Sequence, residues 1–218
     1  MSQPTLKIDF VSDVVCPWCA IGLSAFEIAL ARLDGQVQVD LHFQPFELNP
    51  QMPPGGEEVV PYLSRKYGLA AEQVERNQAA IAERGAAVGF EFRMDRRKRT
   101  YNTFDAHRLL HWAGEEGGAA QQRALKHALL RAHFTDGENP GSTEVLLRCA
   151  AAAGLDAARA AEVLASNAFA DAVRASERHW QELGIHSVPS VIVNDRHLIQ
   201  GGQPPEVFEQ ALRQLAGL

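Results

Sequence analysis

The stretch that most limits what this chain can become is Val15-Cys16-Pro17-Trp18-Cys19. It follows the apolar run Leu6, Ile8, Phe10 and Val11, and precedes a helical pattern carrying Ile21, Phe26, Ile28, Leu30 and Leu33. The cysteine pair therefore falls where a strand ends and a helix begins. Proline suits the first helical turn, because its missing N–H has no intrahelical partner there anyway. That puts Cys16 at the N-cap, facing unpaired backbone N–H groups and the positive end of the helix dipole. Such a site favours the thiolate, the form of cysteine that attacks other sulfurs. Cys19 lies one turn along, near enough to close a disulfide back to Cys16. The expectation is a redox-active dithiol.

Strand and helix signals then give an order. Thr5 to Val11 and Val37 to Gln44 read as strands, with a helix from Pro17 to Leu33 between them. This βαβ pattern implies a parallel pair joined by a right-handed crossover. Asn49-Pro50-Gln51-Met52-Pro53-Pro54-Gly55-Gly56 breaks the pattern. Helical texture follows over Glu57–Tyr67, Ala70–Val88, Asn102–Ala113, Ala119–Phe134, a segment opened by Ser142-Thr143-Glu144, and one from Asp156 to about Ser166. A short extended piece, Phe90 to Met94, leads into the basic run Arg93 to Arg99, which reads as a solvated loop. After a helix over Phe169–Leu183, strands return at Ser190–Val193 and His197–Ile199 around an Asn194-Asp195 turn, and Pro204-Pro205 opens a last helix. Residues 1–48 and 168–218 thus compose a βαβ–αββα unit, and residues 49–167 an all-helical insertion within it. A C-x-x-C beside a βαβ unit reads as a thioredoxin-like redox motif, so the expected class is an α/β thioredoxin fold.

Composition narrows the partners. The 218 residues carry a net charge of −6 with 46% hydrophobic content, which speaks against nucleic acid and anionic membranes. No apolar stretch approaches the ~20 residues of a membrane helix. The first residues, Met1 to Lys7, lack a secretory pattern, so the expected location is the cytoplasm. Thiols there are kept reduced, and a close pair points to catalysis or metal. Three cysteines and scattered histidines fall short of a paired zinc-knuckle set, and His107 with His111 is a weak pair, so no metal is expected. Cys149, alone in an Ala-rich helical segment, reads as a small buried hydrophobe.

Val188-Pro189 begins the third strand. An ordinary trans turn proline and a cis bond packed against the dithiol are both readings of it. Asn102, His107 and Phe134 are candidates to line a substrate groove, against readings as an N-cap, a partnered core histidine and a core aromatic. Asp13 reads as a strand-end turn residue.

These residues together resemble the DsbA family of the thioredoxin superfamily, in its FrnE-like cytosolic branch. The matching stretches are Ser12-Asp13-Val14-Val15-Cys16-Pro17-Trp18-Cys19, Pro45-Phe46-Glu47-Leu48-Asn49-Pro50, Asn102-Thr103, Ala106-His107-Arg108-Leu109, Gly184-Ile185, Val188-Pro189 and Gly201-Gly202-Gln203. The resemblance implies a cis Pro189, with Val188 offering backbone hydrogen bonds to a substrate segment. It implies disulfide exchange through Cys16 and Cys19, with Pro17 and Trp18 beside the substrate and no cofactor beyond the dithiol. Partners would be a disulfide-bearing protein or peptide, or glutathione as co-substrate, and a dimeric assembly is allowed. Three departures stand out. Phe10 occupies the position, six before Cys16, where thioredoxin and periplasmic DsbA proteins keep a buried acid. Trp18 replaces the histidine of the periplasmic C-P-H-C motif, which predicts a less oxidising couple. Gly202 stands where alanine is usual. Two other functions fit the same scaffold: a glutathione-dependent isomerase or transferase of the hydroxychromene carboxylate isomerase or kappa-class type, which typically has serine at Cys16, and a non-catalytic binding or chaperone protein using the helical groove.

Overall fold

The computed structural model describes residues 3–218; Met1 and Ser2 lie outside the described residues. Strand β1 (Thr5–Ser12) is buried along most of its length, because it lies inside the sheet with helices on both faces. Helix α1 (Pro17–Arg32) returns the chain to β2 (Gln38–Pro45), which pairs with β1 in parallel, Phe10 opposite Phe43.

Two-residue strands β3 (Glu57–Glu58) and β4 (Arg99–Thr100) then pair antiparallel. Between them lie α2 (Val59–Tyr67) and α3 (Ala71–Ala87). The sequence expectation placed Glu57 and Glu58 in a helix and the 93–99 run in a free loop. A two-residue bridge has no periodicity to read, and long-range pairing decides it. Phe90 to Met94 joins no sheet; Phe90 and Phe92 instead stack on Phe134, with ring centroids 6.3 and 5.0 Å away.

Helices α4 (Phe104–Trp112), α5 (Ala119–Arg131), α6 (Thr143–Ala152), α7 (Ala157–Ala165) and α8 (Ala170–Glu182) follow. A π-helical turn closes α4 at Ala113–Gly117 and another closes α5 at Ala132–Asp136. Strands β5 (Ser190–Val193) and β6 (His197–Gln200) complete a sheet of order β2-β1-β5-β6, and α9 (Pro205–Ala216) ends the fold. Asn194 and Asp195 have φ of 52° and 55°, the left-handed geometry of the tight hairpin expected there.

One hydrophobic core fills the space between the sheet, α1 and α9. Phe26 meets Phe10 at 6.1 Å and Phe208 at 5.4 Å. A second core, with Leu109, Trp112, Leu125, Leu129, Leu146 and Val163, lies among α4 to α7. Val14 and Val15, immediately before the dithiol, belong to this second core.

The outer edge of β2 is covered by α5. The Phe43 N–H donates to Gln122 Oε1 at 2.9 Å, and Gln122 Nε2 donates to the Phe43 carbonyl at 3.2 Å and to the Leu110 carbonyl at 3.0 Å. One amide thus stands in for a neighbouring strand and blunts a free edge. Gln122→Leu would leave the buried Phe43 N–H and carbonyl without partners, while the Leu110 carbonyl keeps the Ala113 N–H. It is expected to cost about 2–3 kcal/mol. Thermal unfolding should show a fall in Tm of roughly 4–12 °C.

Candidate active site

Cys16 is the N-cap of α1, with extended backbone (φ −90°, ψ 113°) and Pro17 in the first turn. Its carbonyl accepts the Cys19 and Ala20 N–H groups at 3.1 and 3.4 Å, so the pair sits on one tight turn. The Cys16 Sγ lies 3.7 Å from the Val188 carbonyl oxygen, and the Val188–Pro189 bond is cis. The sharper of the two proline readings is the observed one. Gly22 lets α1 approach this loop: a Cβ there would lie 3.0 Å from Pro189 Cγ and 3.2 Å from Gly202 Cα. Gly202 itself packs under Trp18, where a Cβ would stand 3.0 Å from the Trp18 carbonyl oxygen.

The two cysteines differ in access. Both are free thiols. Cys16 is 3% exposed but lines a cleft of about 820 Å³, whereas Cys19 is fully sealed. Burial pushes the Cys19 thiol well above its ordinary range, and its hydrogen bond to Cys16 and the charge of that sulfur push the same way. Pro17, Trp18 and Val188 also line the cleft on the sheet side; α2 and α3 supply the opposite wall.

That wall is cationic. Arg84 stacks over the Trp18 ring at 5.2 Å, and Lys66 Nζ donates to Leu48 O at 3.2 Å and Asn49 Oδ1 at 2.6 Å. The cleft carboxylate Glu47 is paired with Arg174. Arg97, from the run read as a solvated loop, is buried instead. It donates from Nε to His133 Nε2 at 3.2 Å, covers the Phe134 ring at 5.1 Å, and lines the cleft beside Cys16. Burial lowers its guanidinium to about 10, while the Cys16 charge favours its protonation.

Behind the dithiol lies Asp13, wholly buried. Burial alone would raise its carboxyl, but His107 Nε2 at 3.4 Å, the Leu48 N–H at 2.8 Å and Thr103 outweigh it and hold the group ionised. Asp13 also accepts from the Val15 N–H at 3.5 Å, so it is a turn residue that ties the dithiol loop to the end of β2. His107 is therefore a buried core histidine beneath the loop, its Nε2 facing Asp13 at 3.4 Å, rather than part of the cleft lining. Asn102 Oδ1 accepts the Phe104 N–H at 3.0 Å at the start of α4, while its Nδ2 reaches Glu47 at 3.4 Å. Phe134 is sealed in the aromatic cluster under Arg97. None of these three faces the cleft, because α4 turns its apolar side to the helical core and the turn after α5 buries its aromatic.

Three basic residues went unassigned by sequence reasoning: Arg84, Arg97 and Lys126. Arg84 and Arg97 show no local signal, since only tertiary packing separates them from other surface cations. Lys126 does have one. It shares an otherwise apolar helix stripe with Gln122, Leu125, Leu129 and Leu130. Among the described residues no three His, Cys, Asp or Glu side chains converge as metal ligands, and no helix is long and apolar enough to cross a membrane.

The site thus has one sulfur at a helix N-terminus lining the cleft and one sealed behind it, beside a cis proline on a mixed four-stranded sheet. A family model described as DSBA-like thioredoxin domain matches residues 7–213, and the chain belongs to that family. The crystal structure of the probable DsbA oxidoreductase SCO1869 from Streptomyces coelicolor superposes with a TM-score of 0.87 at 38% identity, covering 97% of this chain and 90% of that one. The cytosolic disulfide reductase DsbM from Pseudomonas aeruginosa, solved with GSH, shares the fold with a TM-score of 0.65 at 18% identity, over 97% of this chain and all of that one. The uncharacterized protein YwbO of Bacillus subtilis (strain 168) is 28% identical over 209 residues, 95% of this chain and 96% of that protein.

Access and charge predict how the cysteines label. Iodoacetamide at pH 7 should modify Cys16 at least about tenfold faster than Cys19 or Cys149, read by peptide mass spectrometry, since thiolate character and access set the rate. Cys149 is held at about 11 by burial. His133 predicts the acid limb of stability. Burial, with Arg97 adding repulsion, lowers it from 6.5 to about 3. The unfolded chain binds its proton first, so stability is complete above pH 6.5 and falls as pH drops towards about 3. His133→Gln keeps an acceptor for Arg97, and its denaturant-midpoint curve over that window should be shallower by roughly 1.4 kcal/mol per pH unit.

Proposed function

We propose that this chain is a thiol–disulfide oxidoreductase that works through Cys16 and Cys19 on protein or small-molecule disulfides, in the cytoplasm, with glutathione as its thiol partner. The observation that carries the reading is the unequal pair: one sulfur at a helix N-cap on the floor of a cleft, the other sealed one turn behind it.

The Cys16 thiolate attacks a substrate disulfide, one substrate sulfur leaves as thiolate, and a mixed disulfide forms on Cys16. Cys19 then attacks Cys16 Sγ, the mixed bond breaks, and the second substrate sulfur leaves reduced. Two equivalents of glutathione reduce the Cys16–Cys19 bond and become glutathione disulfide. The Val188 carbonyl and the Pro189 loop are placed to pair with an extended substrate segment over Cys16.

Electrostatics support glutathione. The chain is net −6, yet Arg84, Lys66 and Arg97 converge on the cleft while its Glu47 is neutralised by Arg174. A small thiol with two carboxylates suits such a wall, and a fold relative was solved with it. Trp18 offers no imidazolium to favour the thiolate, which supports a potential below the roughly −120 mV of DsbA. The isomerase reading loses weight because both cysteines are present.

Insulin-disulfide reduction with glutathione as reductant tests the reading. Cys16→Ser should lose at least about 100-fold of the rate, whereas Cys19→Ser should accumulate dithiothreitol-sensitive mixed disulfides. Equal trapping by both variants overturns the assignment of roles, and full activity without either thiol leaves only a binding protein.

A further inference from the structure

Arg97 is only 6% exposed, yet no carboxylate among the described residues pairs with it. Its side chain makes one hydrogen bond, from Nε to His133 Nε2 at 3.2 Å. A guanidinium donates at every nitrogen, so His133 Nε2 must be the acceptor. The proton of that ring then sits on Nδ1, which faces the Glu138 carbonyl at 3.4 Å. His133 is therefore neutral. It orients Arg97 and leaves the positive charge uncancelled.

The neighbouring turn holds the group in place. The π-helical turn Ala132–Asp136 carries His133 and puts the Phe134 ring under the guanidinium at 5.1 Å. The run bearing Arg97 is fastened to the same turn. The Arg93 N–H donates to the Phe134 carbonyl at 2.8 Å, and the Arg97 N–H donates to the Arg93 carbonyl at 3.0 Å. Gly137 admits this close approach, since a Cβ there would lie 2.7 Å from the Arg96 carbonyl oxygen.

Two nitrogens are left over. Neither Nη1 nor Nη2 hydrogen-bonds to a described residue, and neither is sealed. Arg97 lines the same cleft as Cys16. No hydrogen bond joins it to the Cys16 sulfur, which lies against the Val188 carbonyl. The acid of the cleft, Glu47, is taken by Arg174 and Asn102. Lys66 and Arg84 are exposed, where water and salt screen their charge. Arg97 is thus a buried cation that turns a free two-nitrogen edge to the cleft.

We propose that this edge of Arg97 binds a carboxylate of the small thiol that reacts at Cys16, and so selects carboxylate-bearing disulfides over uncharged ones. Two parallel N–H···O bonds match the guanidinium fork to a carboxylate. Burying an unpaired guanidinium costs free energy, and an arriving carboxylate relieves that cost. A hydroxyl in the same place brings no charge. The Cys16 thiolate attacks one sulfur of glutathione disulfide, the S–S bond breaks, and the other half leaves as glutathione thiolate. The half retained on Cys16 keeps its carboxylate on Arg97.

This assignment rests on the exchange reading above, and two disulfides separate them. In a Cys19→Ser background, reduced protein is mixed with glutathione disulfide or with 2-hydroxyethyl disulfide, which has no carboxylate. The Cys16 adducts are quenched in acid and quantified by mass spectrometry. Arg97→Gln should lower the ratio of the two rates, glutathione disulfide over 2-hydroxyethyl disulfide, at least about tenfold. Arg84→Gln removes an equal charge from the exposed wall and should lower that ratio by less than about threefold. An unchanged ratio in Arg97→Gln, including a parallel fall of both rates, overturns the proposal while exchange stands. So do equal falls in the two variants, which would mean general attraction rather than a seat. Absence of an adduct with either disulfide removes the exchange reading itself. Should Arg97→Gln fail to fold, the unmutated protein decides. On addition of S-methylglutathione, which cannot exchange, the Arg97 Nη–H resonances should gain protection from water. Unaltered water exchange overturns the proposal.

Discussion

The rest of the structure depends on a contrast in environment across a single helical turn. Cys16 sits where the unsatisfied N–H groups of α1 favour negative charge and where a cleft reaches it. Cys19, three residues on, is sealed from solvent, and that burial disfavours the same charge. In the proposed exchange, attack and resolution need opposite properties of chemically identical groups, and only position can supply them. Pro17 fixes the start of the helix, and the start of the helix fixes which sulfur is capped. Moving the helix start by one residue would exchange neither role cleanly, because a cap site and a buried site are three residues apart only in this register.

That contrast needs the loop before the dithiol to be rigid, and two cores share the work. Phe10 at the end of β1 belongs to the core under the sheet, whereas Val14 and Val15 belong to the helical core. Between them Asp13 ties the loop to Leu48 and faces His107. The segment from Phe10 to Val15 is thus pinned from both sides of the chain. The helical segment between β2 and α8 does more than cover the cleft: it supplies half the packing that holds the reactive turn still.

Legibility in the sequence follows the range of the interactions. The order β1-α1-β2 and the hairpin at Asn194-Asp195 are written in local periodicity and turn chemistry. So are the helix starts at Pro17, Asp156 and Pro205, and they appear where expected. The β3–β4 bridge, the π-helical turns after α4 and α5, and the burial of Arg97 are set by contacts between distant segments, which leave no local pattern. Lys126 lies between these cases. A polar residue on an apolar stripe is visible in sequence, but what it faces is not. The chemistry of His107 and Asn102 suits a cleft, yet His107 lies on the side of α4 that the helical core claims, and Asn102 turns its Oδ1 back onto the Phe104 N–H.

The cations explain how this site manages without two features of its relatives. The position six residues before Cys16 holds no acid, since Phe10 is there and packs on Phe26 and Phe43. No imidazole follows Pro17, since Trp18 is there and carries Arg84 on its face. Charge instead reaches the Cys16 side from the helical segment, where Arg84 and Arg97 line the cleft. A guanidinium stacked on an aromatic, or buried against one, keeps its charge in surroundings where an ammonium sheds it more readily. On the proposed exchange reading, the arginines therefore suit the sulfur that attacks and the anionic thiol it would meet.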